Sequence, residues 1–108
     1  MDKPVRMTVL EAVLAERERQ EGLWGDQTGH SDAWWNVIVG EENGEVARAV
    51  YEHSIPQTYL EIIQACAVYF AWAEAILIRT LDYSLVGKDQ ETHSDLIHIQ
   101  EEPKIKED

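Results

Sequence analysis

The residues of this chain best suited to chemistry are the carboxylates of Glu41-Glu42-Asn43-Gly44-Glu45 and the acid that leads Glu61-Ile62-Ile63-Gln64. At about 100° per residue, Glu41 and Glu45 stand one turn apart on the same side of a helix. Glu42 lies three residues from Glu45, so three carboxylates converge on one patch. Like charges at these spacings weaken an isolated helix by roughly 0.2–0.5 kcal/mol per pair. A cluster flanked by apolar residues therefore calls for a compensating cation or a wet setting. Oxygen-only ligands of this kind suit magnesium, manganese or calcium rather than zinc.

Helices must position these groups. Thr8-Val9-Leu10-Glu11 reads as a capping box, and Met7, Leu10 and Leu14, with Val9 and Val13, form an apolar stripe at helical spacing. A first helix is expected from Val9 to about Glu21. Its second half, from Glu16 to Glu21, is polar throughout and reads as a solvated face with charge pairs, or else as a face that brings Arg17 or Arg19 to an anionic ligand. The glycines of Gly22 to His30 mark a loop. Trp24 within it either caps the core or offers a ring face on which a nucleobase can stack, a contact of ~1–3 kcal/mol. His30, near a helix start, reads as a capping or surface residue.

Ser31 is a suitable N-cap with Asp32 in the first turn, and a second helix is expected to run to about His53. Glu41 and Glu42 each fall seven residues beyond a tryptophan, Trp34 and Trp35, which turns the acids toward a cleft rather than bulk water. Gly44 costs a helix roughly 1 kcal/mol against alanine, which suits a point where a backbone or ligand approaches closely. After the break at Ser54-Ile55-Pro56-Gln57, Thr58-Tyr59-Leu60-Glu61 offers another capping box for a third helix reaching about Asp82. Glu61 thus has a structural role available to it as the capping acid. From Ile62 to Ile78 this helix is apolar nearly all round, with several alanines, and two other helices can hardly cover it, so a partner subunit is expected. Residues 87–108 carry seven acids, three lysines and a small apolar group at Leu96, Ile97 and Ile99. They read as a disordered or partner-draped tail behind a helical domain of residues 1–86. His93 and His98 within it form only a weak metal spacing.

At 108 residues the chain is one domain. Its 21 acidic against 9 basic residues give a net charge of −12, which argues against binding a nucleic-acid polymer. Nucleotides held through a metal stay open. Cys66, the single cysteine, excludes an intramolecular disulfide, fits a reducing cytosol and reads as core packing. No apolar run follows the charges of the N-terminus, so no signal peptide is expected. The run Ile62 to Ile78, interrupted by Gln64 and Glu74, falls short of the ~20 residues of a membrane span. A soluble, cytoplasmic protein is the expectation.

The layout Glu41-Glu42-x-x-Glu45, 15 intervening residues and an acid-led step at Glu61 resembles the EExxE and ExxD motifs of the all-α nucleoside triphosphate pyrophosphatases of the MazG-like superfamily. Glu18-Arg19-Gln20 and Trp24-Gly25 resemble the segment preceding the first motif in small members, and the likeness covers about Val9 to Ile78. It implies an all-α antiparallel bundle completed as a homodimer or homotetramer. It also implies a nucleoside triphosphate substrate cleaved to a monophosphate and pyrophosphate in nucleotide-pool housecleaning. Magnesium would be the cofactor, with manganese as the alternative, held by Glu42, Glu45, Glu61 and Gln64. Glu41 would hold a second ion or act as the base that orients water, and Trp24, Gln20, Arg17 and Arg48 would contact substrate. Gln64 stands where the family carries aspartate, an oxygen ligand without charge. The lysine and asparagine cluster that meets the triphosphate in several members is not evident either. A helical scaffold that binds nucleotide or a partner without turnover is the alternative.

Overall fold

The computed structural model describes residues 2–85, which form α1 (Lys3–Trp24), α2 (Asp32–Tyr51) and α3 (Ile55–Leu85), with no strand among the described residues. The all-α class is as expected. The tail of residues 87–108, with His93 and His98, lies outside the described residues.

Helix α1 begins earlier than the capping box suggested. Pro4 sits in its first turn, where the missing N–H costs nothing, and Arg6 N–H donates to Asp2 O at 3.0 Å. Thr8 is therefore inside the helix, and its hydroxyl donates back to the Pro4 carbonyl at 2.9 Å instead of capping. The helix stops at Trp24 because Gly25 takes φ +74°, a backbone region that L-residues rarely adopt, while its N–H closes on Glu21 O at 2.7 Å.

Helix α2 starts as expected, with the Ser31 hydroxyl accepting from Trp34 N–H at 3.1 Å. It ends where His53 takes φ +60° and donates its N–H to Val50 O. Helix α3 begins three residues before Thr58. Ser54, not Thr58, caps it, accepting from Gln57 N–H at 3.2 Å, and Pro56 occupies the first turn. Thr58 donates to Ser54 O, and Glu61 is left free of a capping duty, accepting instead from Gln57 Nε2 at 2.7 Å.

Helices α1 and α2 each pack on α3 and not on each other. Pairings of Asp32 with Arg79 and Asn43 with Tyr69 show that α3 runs antiparallel to α2. The core lies on that seam: Trp35 and Val39 of α2 meet Val68, Ala71 and Ala75 of α3, with Ile38 and Trp72 closing over them. Small residues on α3 let the larger Trp35 sit close to its backbone, leaving that indole only 2 % exposed.

Two flanking helices cover only part of α3. Tyr59, Ile62, Cys66, Phe70 and Ala73, which recur at helical spacing, are exposed. Cys66 is thus not a core residue, contrary to the reading of its apolar neighbourhood, because it falls on this uncovered stripe. On α1 only Val13 of the apolar stripe is buried, and Met7, Val9, Leu10 and Leu14 are exposed. Because α3 is continuous from Ile55, its stretch Ile55–Leu81 is, as a whole, long and apolar enough to cross a membrane by length and composition. The shorter run counted from sequence does not describe it.

Candidate metal centre and adjoining clefts

One turn of α2 and the second turn of α3 bring Glu42, Glu45 and Glu61 together, with one carboxylate oxygen from each lying within 4.8 Å of the others. The antiparallel α2–α3 seam makes this juxtaposition, and the absence of a capping role for Glu61 leaves its second oxygen available. Glu42 Oε1 and Glu61 Oε1 are both buried and lack a hydrogen-bond partner. Buried carboxylate oxygens left without partners are costly, so these two are groups that a cation or a proton would satisfy. Burial, followed by the charges of Glu45, Glu61, Glu16 and Glu41, pushes the Glu42 carboxyl above its ordinary value of 4.5.

The donor set fits a hard divalent cation. It consists of carboxylates alone, from two rigid helices, close enough for one ion to touch all three. Gln64, the fourth expected ligand, lies one turn beyond Glu61 and is half-buried. Its backbone carbonyl accepts from Gln20 Nε2 at 3.3 Å, while its side-chain amide makes no hydrogen bond among the described residues.

The cluster separates two clefts along one face of α2. The first, about 320 Å³, opens between α1 and α2 with Val68 and Ala71 of α3 as its floor. Its walls carry Trp24, Trp34 and Trp35, and Glu41 and Glu42 stand at its acidic end. Trp24 is 55 % exposed, so it does not cap the core, and it lines the cleft. His30 stacks on Trp34 with ring centroids 3.7 Å apart, which fixes that indole at the cleft wall. The second cleft, about 330 Å³, holds Glu45 and Glu61 together with Arg48, Glu52 and Gln57.

The expected substrate contacts therefore divide. Arg17, Gln20 and Trp24 line the first cleft with Glu41, whereas Arg48 lines the second. Arg17 is not free: its Nε donates to Glu74 Oε1 at 2.8 Å, and Glu21 lies 3.8 Å from its Nη1. Gln20 is buried, and its amide nitrogen is committed to Glu16 Oε2 at 3.0 Å and to the Gln64 carbonyl. Arg19 does not line the cleft. It forks onto Glu16 through Nε and Nη2 at 2.8 and 2.7 Å, holding that carboxyl below its usual range. Arg79, a remaining cation of α3, is paired with Asp32 at 3.1 Å, beside the Trp72 indole N–H at 2.9 Å.

Two participants were not legible as site residues. Glu16 sits in the polar run of α1, yet its charge reaches Glu42 across the α1–α2 gap. Its only sequence signal is the spacing to Arg19 and Gln20. Glu74 interrupts the apolar stretch of α3, and that interruption was a usable sign that a cation on another helix must meet it. Compared with protein-family models, with curated proteins and with solved structures, the chain finds no match.

Proposed function

We propose that the protein is a magnesium-dependent nucleoside triphosphate pyrophosphohydrolase of the MazG-like kind, releasing a nucleoside monophosphate and pyrophosphate. The observation that carries this reading is the three-carboxylate cluster, with two buried oxygens lacking partners, placed at the end of a cleft walled by indole rings. The all-carboxylate donor set supports a divalent metal and the indole-lined cleft supports a heterocyclic ligand, while the choice of the α–β phosphoanhydride bond rests on the motif resemblance.

Glu42, Glu45 and Glu61 would hold magnesium, with manganese as a substitute and Gln64 as an uncharged oxygen within reach of the same turn. When bound, such an ion offsets charge that develops on phosphoryl oxygens. The chain's own residues do the remainder. Trp24, the more exposed indole of the cleft, offers a ring face on which a base can stack, at ~1–3 kcal/mol per contact, whereas one face of Trp34 is already taken by His30. Glu41, exposed at the acidic end of that cleft, is the carboxylate available to accept a hydrogen bond from the attacking water and draw off its proton. Arg17, locked by Glu74, shapes the cleft wall and keeps α1 at its place on α3.

A net charge of −12 opposes a nucleic-acid polymer as partner and suits a small anion that arrives with its metal. Although α3 is apolar, it carries Glu61 in the acid cluster and Glu74 in an ion pair with α1. We read it as the core helix of a soluble, cytoplasmic bundle, most naturally a homodimer or homotetramer.

Product identification by ion-exchange chromatography over a panel of ribo- and deoxynucleoside triphosphates tests the reaction. Monophosphate and pyrophosphate are expected with magnesium, and neither is expected from Glu42→Gln or Glu45→Gln, which remain helical by circular dichroism. Release of orthophosphate and nucleoside diphosphate would overturn the bond assignment. If wild type and both variants are equally inert, with magnesium and with manganese, the chain is better read as a nucleotide- or partner-binding scaffold, the reading that Gln64 in place of aspartate favours.

A further inference from the structure

The first cleft has a charge character that the reading above leaves unused. Arg17 is the one cation among its lining residues, and two acids hold it: Glu74 Oε1 accepts from its Nε at 2.8 Å, and Glu21 lies 3.8 Å from its Nη1. Glu42 belongs to the acid cluster, where a bound metal draws on its charge. Glu41 stands outside that cluster, is exposed, and makes no ion pair or side-chain hydrogen bond among the described residues, so no neighbour offsets its charge on the cleft. The groups open to an occupant are electron-rich as well. Trp24 and Trp34 are 55 % and 37 % exposed, and an indole face is the negative side of its quadrupole. The donors of the cleft are largely committed. Arg17 Nε is bound to Glu74, the Gln20 amide nitrogen to Glu16 and the Gln64 carbonyl, and the Trp35 N–H, though unpartnered, is fully buried.

Such a cleft fits a flat ring that is positively charged better than a neutral ring of the same shape. A cation over an indole face gains an attraction that a neutral ring lacks, and the gain is largest where water is excluded. Glu41 adds to it. The seven residues from Trp34 to Glu41 span about 10 Å of helix axis, comparable to the screening length of ~8 Å at physiological salt. Low-dielectric walls on both sides weaken the field less than water does. The net charge of −12 acts in the same direction. We propose that the first cleft selects a cationic heteroaromatic ring, so that the substrates are nucleoside triphosphates whose base is made cationic by methylation of a ring nitrogen, such as 1-methyladenine or 3-methylcytosine. This deepens the pyrophosphohydrolase reading and rests on it for the triphosphate. The charge preference of the cleft rests on its own residues alone.

Quenching of tryptophan fluorescence by nucleosides tests the preference with no phosphate, metal or turnover involved. The pairs are 1-methyladenosine against adenosine and 3-methylcytidine against cytidine at neutral pH, where the methylated member of each pair is a cation. Wild type is expected to bind each cation about tenfold more tightly than its neutral parent, and the ratio should shrink as salt is raised. N6-methyladenosine, which carries the methyl group without the charge, should bind as adenosine does. Glu41→Gln should weaken the cations by about fivefold and leave the parents unchanged, and Trp24→Leu should weaken the cations more than the parents. Both positions are exposed, so the fold is kept in either variant. The inference is overturned if wild type binds neither member of a pair, binds both alike or prefers the parent. It is equally overturned if N6-methyladenosine matches 1-methyladenosine, or if the preference survives intact in both variants. Pyrophosphate release is followed separately, with the triphosphates of the same nucleosides. A preference for the cations with no release from any triphosphate would sink the pyrophosphohydrolase reading and leave the charge preference of the cleft standing. Release from methylated and unmodified triphosphates at equal kcat/KM, with no preference among the nucleosides, would do the opposite.

Discussion

Glu42 is the side chain through which the acid cluster can be read without a substrate. Its carboxyl is raised above 4.5 in the fold, by burial first and by neighbouring carboxylates next. An unfolded chain releases that proton at a lower pH, so between 4.5 and the raised value the native state holds a proton that the unfolded state has lost. Stability from this group therefore declines as pH rises through that window. Glu16 and Asp32 act in the opposite sense. Their folded values are lowered, by the Arg19 fork and by the Trp72 and Arg79 hydrogen bonds respectively, so their contributions are present above their unfolded values and are lost as pH falls through the folded ones. The metal-free protein should accordingly lose the Glu42 contribution to its melting temperature as pH rises above 4.5 through the range in which the folded carboxyl titrates, and both Glu42→Gln and saturating magnesium should flatten that slope. Identical thermal profiles for wild type and Glu42→Gln would show that burial does not load this carboxyl. Gln64→Asp makes the complementary test, since it adds a charge one turn past Glu61. Magnesium affinity should rise by about tenfold or more, as a charged oxygen replaces a neutral one. Unchanged calorimetric affinity would place residue 64 outside the ion's reach. At this scale Glu42 and Glu45 were legible as neighbours, because spacing on a helix is a property of sequence, whereas Glu61 joins them only through the packing of α3 on α2, and Glu41, expected on the same patch, lines the first cleft instead. Glu74 and Arg17 were not paired in advance, because they lie 57 residues apart and meet only through the packing of α1 on α3.

The helices themselves were largely readable, and their ends were not. Ser31 is a cap whose competitor positions are weak, and α2 starts there. At the other two N-termini the sequence offered two signals a few residues apart, a proline and a capping box, and in each case the proline side won. Pro4 and Pro56 fit the first turn, which lets Lys3 and Ile55 begin the helices and absorbs Thr8 and Thr58 into them. The displacement matters for the site, since a helix starting at Thr58 would have bound Glu61 to its own N-terminus. Gly44 is a second case, where the reading was close approach of a backbone or a ligand: no backbone of the described residues comes near, since a Cβ built there meets nothing within 4 Å. Gly44→Ala should then stabilise α2 by about 1 kcal/mol, through helix propensity and reduced unfolded-state freedom. A denaturant midpoint that rises with unchanged slope supports this, and a fall would mean that another molecule occupies the space beside Gly44.

For the whole molecule, the decisive quantity is the apolar surface that three helices leave uncovered. Ile62 and Phe70 are 43 % and 38 % exposed on α3, and Met7, Leu10 and Leu14 lie on an α1 face where only Val13 is buried. Fully covering a side chain of this size gains ~1.5–3 kcal/mol, so each half-exposed residue still offers about 1 kcal/mol. Association costs an estimated 4–15 kcal/mol or more before it begins to gain, and several such side chains must therefore be covered together. The helically spaced row Tyr59, Ile62, Cys66, Phe70 and Ala73 supplies a face that two copies could bury against each other. The net charge of −12 opposes the approach of two copies, but at ~0.15 M salt the screening length is about 8 Å, and only nearby acids still repel. Light scattering at micromolar concentration should therefore give the mass of a dimer or tetramer at physiological ionic strength, with dissociation favoured as salt is lowered. Phe70→Glu, which places a charge in the row, should shift the mass to that of one chain while leaving α2 and its carboxylates in place. A monomer at every salt concentration would mean that the exposed row of α3 is not a self-association face.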